Sequence, residues 1–180
     1  MLYEPKNFDS LLGVFSDTML KNHFTLYQGY VTNTNKLLDE LKGKEGPVFA
    51  ELKRRFGWEF NGMRLHELYF GNMSKNPKKL NGKLLKQIEK DFGSFAAWEK
   101  DFKATGSMRG IGWVVLYNDN GRLFNCWVNE HDVGHLAGCT PLLVMDVFEH
   151  AYLTDFGIKK ADYIEVFMKV IDWEAVSKRL

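Results

Sequence analysis

The feature that most constrains this chain is a change of hydrophobic period partway along it. From Asp17 to Lys42, apolar residues recur at Leu20, Phe24, Tyr27, Val31, Leu37, Leu38 and Leu41, close to the 3.6-residue period of a helix. Ser16 or Asp17 suits the N-cap and Gly43 the stop. After a short break, Pro47 fits the first turn of a second helix running through Val48, Leu52, Phe56, Phe60, Met63, Leu65 and Phe70. Two long helices with so short a connection pair as an antiparallel hairpin. The polar stretch 72–82 reads as a linker. Helices are expected over 83–92 and, capped by Ser94, from Phe95 to about Ala104.

The period then drops to two. Residues 113–118 and 123–128 are rich in strand formers, and Asp119-Asn120-Gly121 between them is a hairpin signal. A short apolar third strand covers 142–146, and helices over 149–155, 160–171 and 173–180 close the chain. The expectation is an α+β protein: a helical hairpin domain at 1–75, then an α+β domain at 83–180 with a three-stranded antiparallel sheet.

Charge excludes some functions. Lys and Arg number 24 against 23 Asp and Glu, so there is no basic surplus or stripe for nucleic acid. No apolar run approaches the ~18 residues of a membrane helix. The N-terminus lacks a secretory pattern. Cys126 and Cys139 form no metal-ribbon spacing, which fits a reducing compartment. These readings predict a soluble, cytoplasmic protein.

The five histidines are the centre of the chemical argument. Asp146 and His150 stand four apart where a strand runs into a helix, so they can converge on one turn. A carboxylate with an imidazole suits Fe, Mn or Zn better than Mg or Ca, although an exposed helix pair has the same spacing. His66 lies deep in the apolar second helix, where an imidazole needs a carbonyl or a metal. His23 is seven residues before Tyr30, two turns along one face, with Tyr27 on the same face; it is either structural or a ligand. Taken together, three His and one Asp would give a four-ligand site between the two domains. A structural zinc site would bring Cys and short local spacings. Nitrogen and oxygen ligands among aromatic rings suit a redox-active Fe or Mn with one open position.

Asp146-Val-Phe-Glu-His-Ala-Tyr152, with Lys160-Ala-Asp-Tyr163 and Ile171-Asp-Trp173 after it, resembles the C-terminal signature of the iron/manganese superoxide dismutases. Phe148 stands where that family usually has Trp. Gly110-Ile-Gly-Trp-Val-Val-Leu116 and Tyr30-Val-Thr-Asn-Thr-Asn35 are similar to two further family runs. The resemblance implies one iron or manganese ion per subunit, held by His23, His66, Asp146 and His150. It implies superoxide as substrate and a homodimer, with a tetramer the alternative. Tyr30 would stand beside the substrate channel. Glu149 would reach the partner subunit's metal site, and Tyr152 would line the interface.

Three departures set this chain apart. The family's step from first ligand to channel tyrosine is one residue longer, so an ungapped comparison puts Asn22 at the ligand position; His23 is chosen because Asn is a poor ligand there. The family's outer-shell Gln is replaced, with Gly62 on the second helix and His131 on the sheet side; Glu130 is the competing candidate. The interface His one turn after the first ligand is absent, and Tyr27 is the nearest substitute. Phe70, Trp113, Trp127 and Phe148 are candidates for a dry wall, Val144 and His131 for tuning the metal, and Arg64 or Lys160 for local anion attraction. His135 reads as a surface residue. If His23 were not a ligand, the rest would fit a non-haem iron oxygenase; a catalytically silent metal protein is the other alternative.

Overall fold

A computed structural model describes residues 2–180. Helix α1 spans Asp17–Glu40, and Ser16 caps it: the hydroxyl accepts from the Met19 amide at 3.1 Å. Helix α2 spans Gly46–Phe70 with Pro47 in its first turn. The two run antiparallel. His23 meets His66, the Tyr30 ring crosses Gly62, and Asn33 donates to Glu59.

Helices α3 (Gly82–Phe92) and α4 (Phe95–Gly106) follow, the second capped by Ser94. Strands β1 (Gly112–Asp119), β2 (Arg122–Asn129) and β3 (Thr140–Asp146) form an antiparallel sheet in the order β2-β1-β3. The β1–β2 turn is two residues long. Asn120 and Gly121 both have positive φ, 47° and 96°, as a type I′ turn demands. β1 is buried over Gly112–Tyr117 because it lies between the other strands. Pro141 lies on β3, an edge strand, at a register shift where its missing N–H costs no ladder bond.

The fold is α+β, with the helical hairpin and the three-stranded antiparallel sheet in the expected order. One apolar core runs through both parts, from Leu11, Tyr27 and Phe70 to Trp113, Val144 and Val176.

The structure departs from expectation after β3. The single helix expected over 149–155 is instead a 3₁₀ turn, Glu149–Ala151, and a short helix α5, Leu153–Phe156. Tyr152 breaks it at φ −142°, with its ring packed 5.9 Å from that of Tyr163. A tertiary contact overrides local helix preference here. Helices α6 (Lys160–Val170) and α7 (Trp173–Ser177) complete the chain. No helix among the described residues is long and apolar enough to cross a membrane.

Candidate metal centre

Each element delivers one side chain to a common point. α1 brings His23, α2 brings His66, the end of β3 brings Asp146, and the 3₁₀ turn brings His150. One donor atom from each lies within 4.8 Å of the other three. His23 Nε2 and His150 Nε2 are both 3.1 Å from Asp146 Oδ2, and His66 Nε2 is 3.6 Å from it. Asp146 and His150 meet through the strand-to-turn corner, not through a shared helix face. Asp146 Oδ1 accepts the Phe148 amide at 2.8 Å, which holds that corner.

α1 is an unbroken α-helix through His23 and Tyr30. The helix therefore buries His23 against Asp146 and leaves Asn22 exposed.

The donor chemistry fits a metal. His66 Nδ1 lies 2.6 Å from the Gly62 carbonyl, which only accepts, so the proton is on Nδ1. Nε2 is then a bare lone pair, fully buried and without a hydrogen-bond partner. An orphaned acceptor in such a place is costly unless something electrophilic occupies the cluster. Burial, the largest influence, pushes His23 and His66 below the usual imidazole range. Burial works to raise the Asp146 carboxyl, but the charge and hydrogen bond of His150 and those of His23 outweigh it and hold it well below the usual range. Three imidazoles and a carboxylate are a donor set that suits a first-row transition metal.

Around this cluster the rings close. Trp113 stands edge-on to His66 at 4.9 Å, Phe70 edge-on to His23 at 4.9 Å, and Phe148 stacks on His150 at 5.2 Å. Tyr163 donates to the Asp146 carbonyl at 2.7 Å, a support absent from the sequence reading. Val144 is buried, and its carbonyl accepts from Asn72.

On one side lies a polar pair. His131 is fully buried, with Nε2 2.7 Å from the Tyr30 hydroxyl. The Trp113 indole N–H, which can only donate, reaches His131 Nδ1 at 3.0 Å. The neutral ring therefore carries its proton on Nε2 and donates to the Tyr30 oxygen, leaving the phenol proton free. Burial holds His131 down to about 4, so it stays neutral near pH 7. Glu130 instead takes the Trp58 indole N–H at 3.1 Å. Gly62 leaves room for Tyr30: a Cβ there would come within 2.6 Å of the ring.

Other predicted residues lie elsewhere. Trp127 pairs with Val114, one register step from the Trp113 pair, so it faces the opposite side of the sheet from the cluster. Tyr27 is buried; its hydroxyl donates to Glu67 at 3.1 Å and accepts the Lys6 amide at 3.0 Å. Arg64 pairs with Glu67, and Lys160 bonds the Met108 carbonyl, so neither points into the cluster. Glu149 is exposed and Tyr152 mostly buried. His135, expected on the surface, is half-buried and hydrogen-bonded through both nitrogens. Its i,i+4 spacing from His131 was the available signal.

A helical hairpin and a three-stranded sheet thus bring three histidines and an aspartate into one group that could hold a metal ion. The family profile for the C-terminal domain of iron/manganese superoxide dismutases matches residues 80–179. The chain is 38% identical to an iron superoxide dismutase of Cupriavidus metallidurans, over 99% of this chain and 96% of that protein. It is 34% identical to a manganese superoxide dismutase of Haloferax volcanii (97% and 92% covered). To an iron superoxide dismutase of Methanothermobacter marburgensis it is 35% identical (97% and 92%). The chain belongs to the iron/manganese superoxide dismutase family.

Proposed function

We propose that this chain is a superoxide dismutase in which His23, His66, Asp146 and His150 hold one iron or manganese ion per subunit. The hairpin half (1–75) and the sheet half (83–180) each give two ligands. The observation that carries this reading is the bare, buried Nε2 of His66 at the meeting point of the four donors.

The reaction is 2 superoxide + 2 H⁺ → O₂ + H₂O₂. An iron or manganese ion held by His23, His66, Asp146 and His150 would supply the one-electron exchange. The chain's residues supply the rest. Tyr30, whose oxygen accepts from His131, keeps its O–H for proton delivery to the substrate. His131 fixes that geometry, itself fixed by Trp113. Phe70, Trp113 and Phe148 exclude water, which strengthens each electrostatic contact inside. Arg55 lies 4.1 Å above the Trp58 ring, which itself packs against both Tyr30 and His131.

The turn that carries His150 also presents Glu149 outward. Docking a second copy there, as a homodimer, is part of this reading, and so is a cytoplasmic setting, which suits two free cysteines. The presence of His23 in the cluster supports four ligands over the two-His, one-carboxylate set of an oxygenase.

The test is diffraction from metal-loaded crystals with data on both sides of the iron and manganese edges. One ion touching all four residues, with one open position, is expected. An ion that leaves His23 free and has two or more open positions would overturn the reading.

A further inference from the structure

His131 sits in a tight turn whose ends are pinned by Asn129 and Val133, each amide donating to the other's carbonyl at 2.8 and 3.3 Å. Gly134 follows at φ 101°, so close to the Trp127 carbonyl that a Cβ would lie 2.8 Å from it. That pairing leaves the His131 carbonyl unused. His135 takes it, with Nε2 at 2.9 Å. A carbonyl only accepts, so His135 is protonated on Nε2. Its Nδ1 then accepts from the Tyr117 hydroxyl at 2.7 Å. Tyr117 is buried on β1, four residues along the strand from Trp113.

The polar chain is continuous. Tyr117 donates to His135, His135 donates to the His131 carbonyl, Trp113 donates to the His131 ring, and His131 donates to Tyr30. Both histidines have their protons placed by a group that can act in only one way. The same strand thus grips His131 twice: Trp113 holds its ring directly, and Tyr117 holds its backbone through His135.

We propose that His135 is a positioning residue: with Tyr117 it sets the height of the His131 backbone and so the aim of His131 Nε2 at Tyr30. The inference rests on the dismutase reading of the site. Losing the His135 donor frees the carbonyl, and a ring displaced by a fraction of an ångström lengthens and misaims its 2.7 Å contact with Tyr30.

The experiment uses metal-loaded protein with metal content matched between variants. Superoxide turnover, the visible absorption band of the oxidised ion, azide affinity and Tm are measured for wild type, His135→Leu, His135→Gln and Tyr117→Phe. His135→Leu is expected to lower turnover between about ten- and a hundredfold, shift the band and change the azide dissociation constant severalfold. His135→Gln, whose amide N–H reaches the same carbonyl, is expected to restore all three. Tyr117→Phe removes only the hydroxyl and is expected to move them the same way by less; it carries the test should His135→Leu not fold. A lower Tm with turnover, band and azide affinity as in wild type would overturn the proposal, as would a Gln variant no better than Leu. Wild-type protein that leaves superoxide untouched would refute the dismutase reading instead, while the band and azide measurements would still report on His135.

Discussion

Replacing Gly62 with alanine tests how tightly the site is built. The added Cβ would stand 2.6 Å from Tyr30 Cδ1 and 2.7 Å from Cε1, where ordinary contact begins at 3.4 Å. The ring must therefore recede by 3.4 − 2.6 = 0.8 Å. It is not free to do so, because it stacks on His66 at 5.1 Å and its hydroxyl is held by His131 at 2.7 Å. Overpacking of this kind costs about 1–3 kcal/mol. Alanine also gains up to about 1 kcal/mol of helix propensity. Gly57 in the same helix has nothing within 4 Å of its Cβ position, so Gly57→Ala collects the propensity gain alone. The two variants should differ by about 2 kcal/mol, or about 4–8 °C in Tm for a chain of this size. Thermal unfolding at equal metal loading measures the difference, and it should come with about a tenfold loss of turnover in Gly62→Ala only. Equal melting temperatures with unchanged turnover would refute the packing argument.

His66→Ala removes the donor whose lone pair is otherwise bare. Metal retained after dialysis, measured by mass spectrometry, should fall to below about a tenth of wild type. Glu67 binds Lys6 and Arg64, both at 2.8 Å; burial works to raise its carboxyl, yet these cations hold it below the usual range. A depressed carboxylate stabilises the fold above its unfolded pKa of about 4.3 and loses that effect as pH falls through the folded value. Glu67→Gln should therefore cost about 1 kcal/mol near pH 7, and urea titrations should show the gap closing at acid pH. Ser16→Ala removes the α1 cap and should lower stability by about 1 kcal/mol in the same assay.

The hairpin and the sheet were legible because each runs long enough for its period to show, and because Asn120-Gly121 allows one kind of turn. The proximity of Asp146 and His150 was legible from spacing, but the helix assumed to cause it was not there. Tyr152 breaks that helix through its contact with Tyr163, and no local signal records such a contact. Ligand chemistry and helix geometry together favoured His23 over Asn22, and the structure turns His23 toward Asp146. Trp127 was expected in the wall, but its neighbour Val128 is the residue that pairs with Trp113, and adjacent strand residues face opposite sides. His135 looked idle because one of its partners is a backbone carbonyl and the other lies 18 residues away on a neighbouring strand.

The most direct test of the central claim is superoxide decay after pulse radiolysis, with protein loaded separately with iron or manganese and metal content measured on the same sample. The account predicts about one ion per chain and, for at least one metal, many superoxide ions consumed per chain, with Asp146→Ala losing both. Full metal occupancy with decay no faster than in buffer, for both metals, would contradict it.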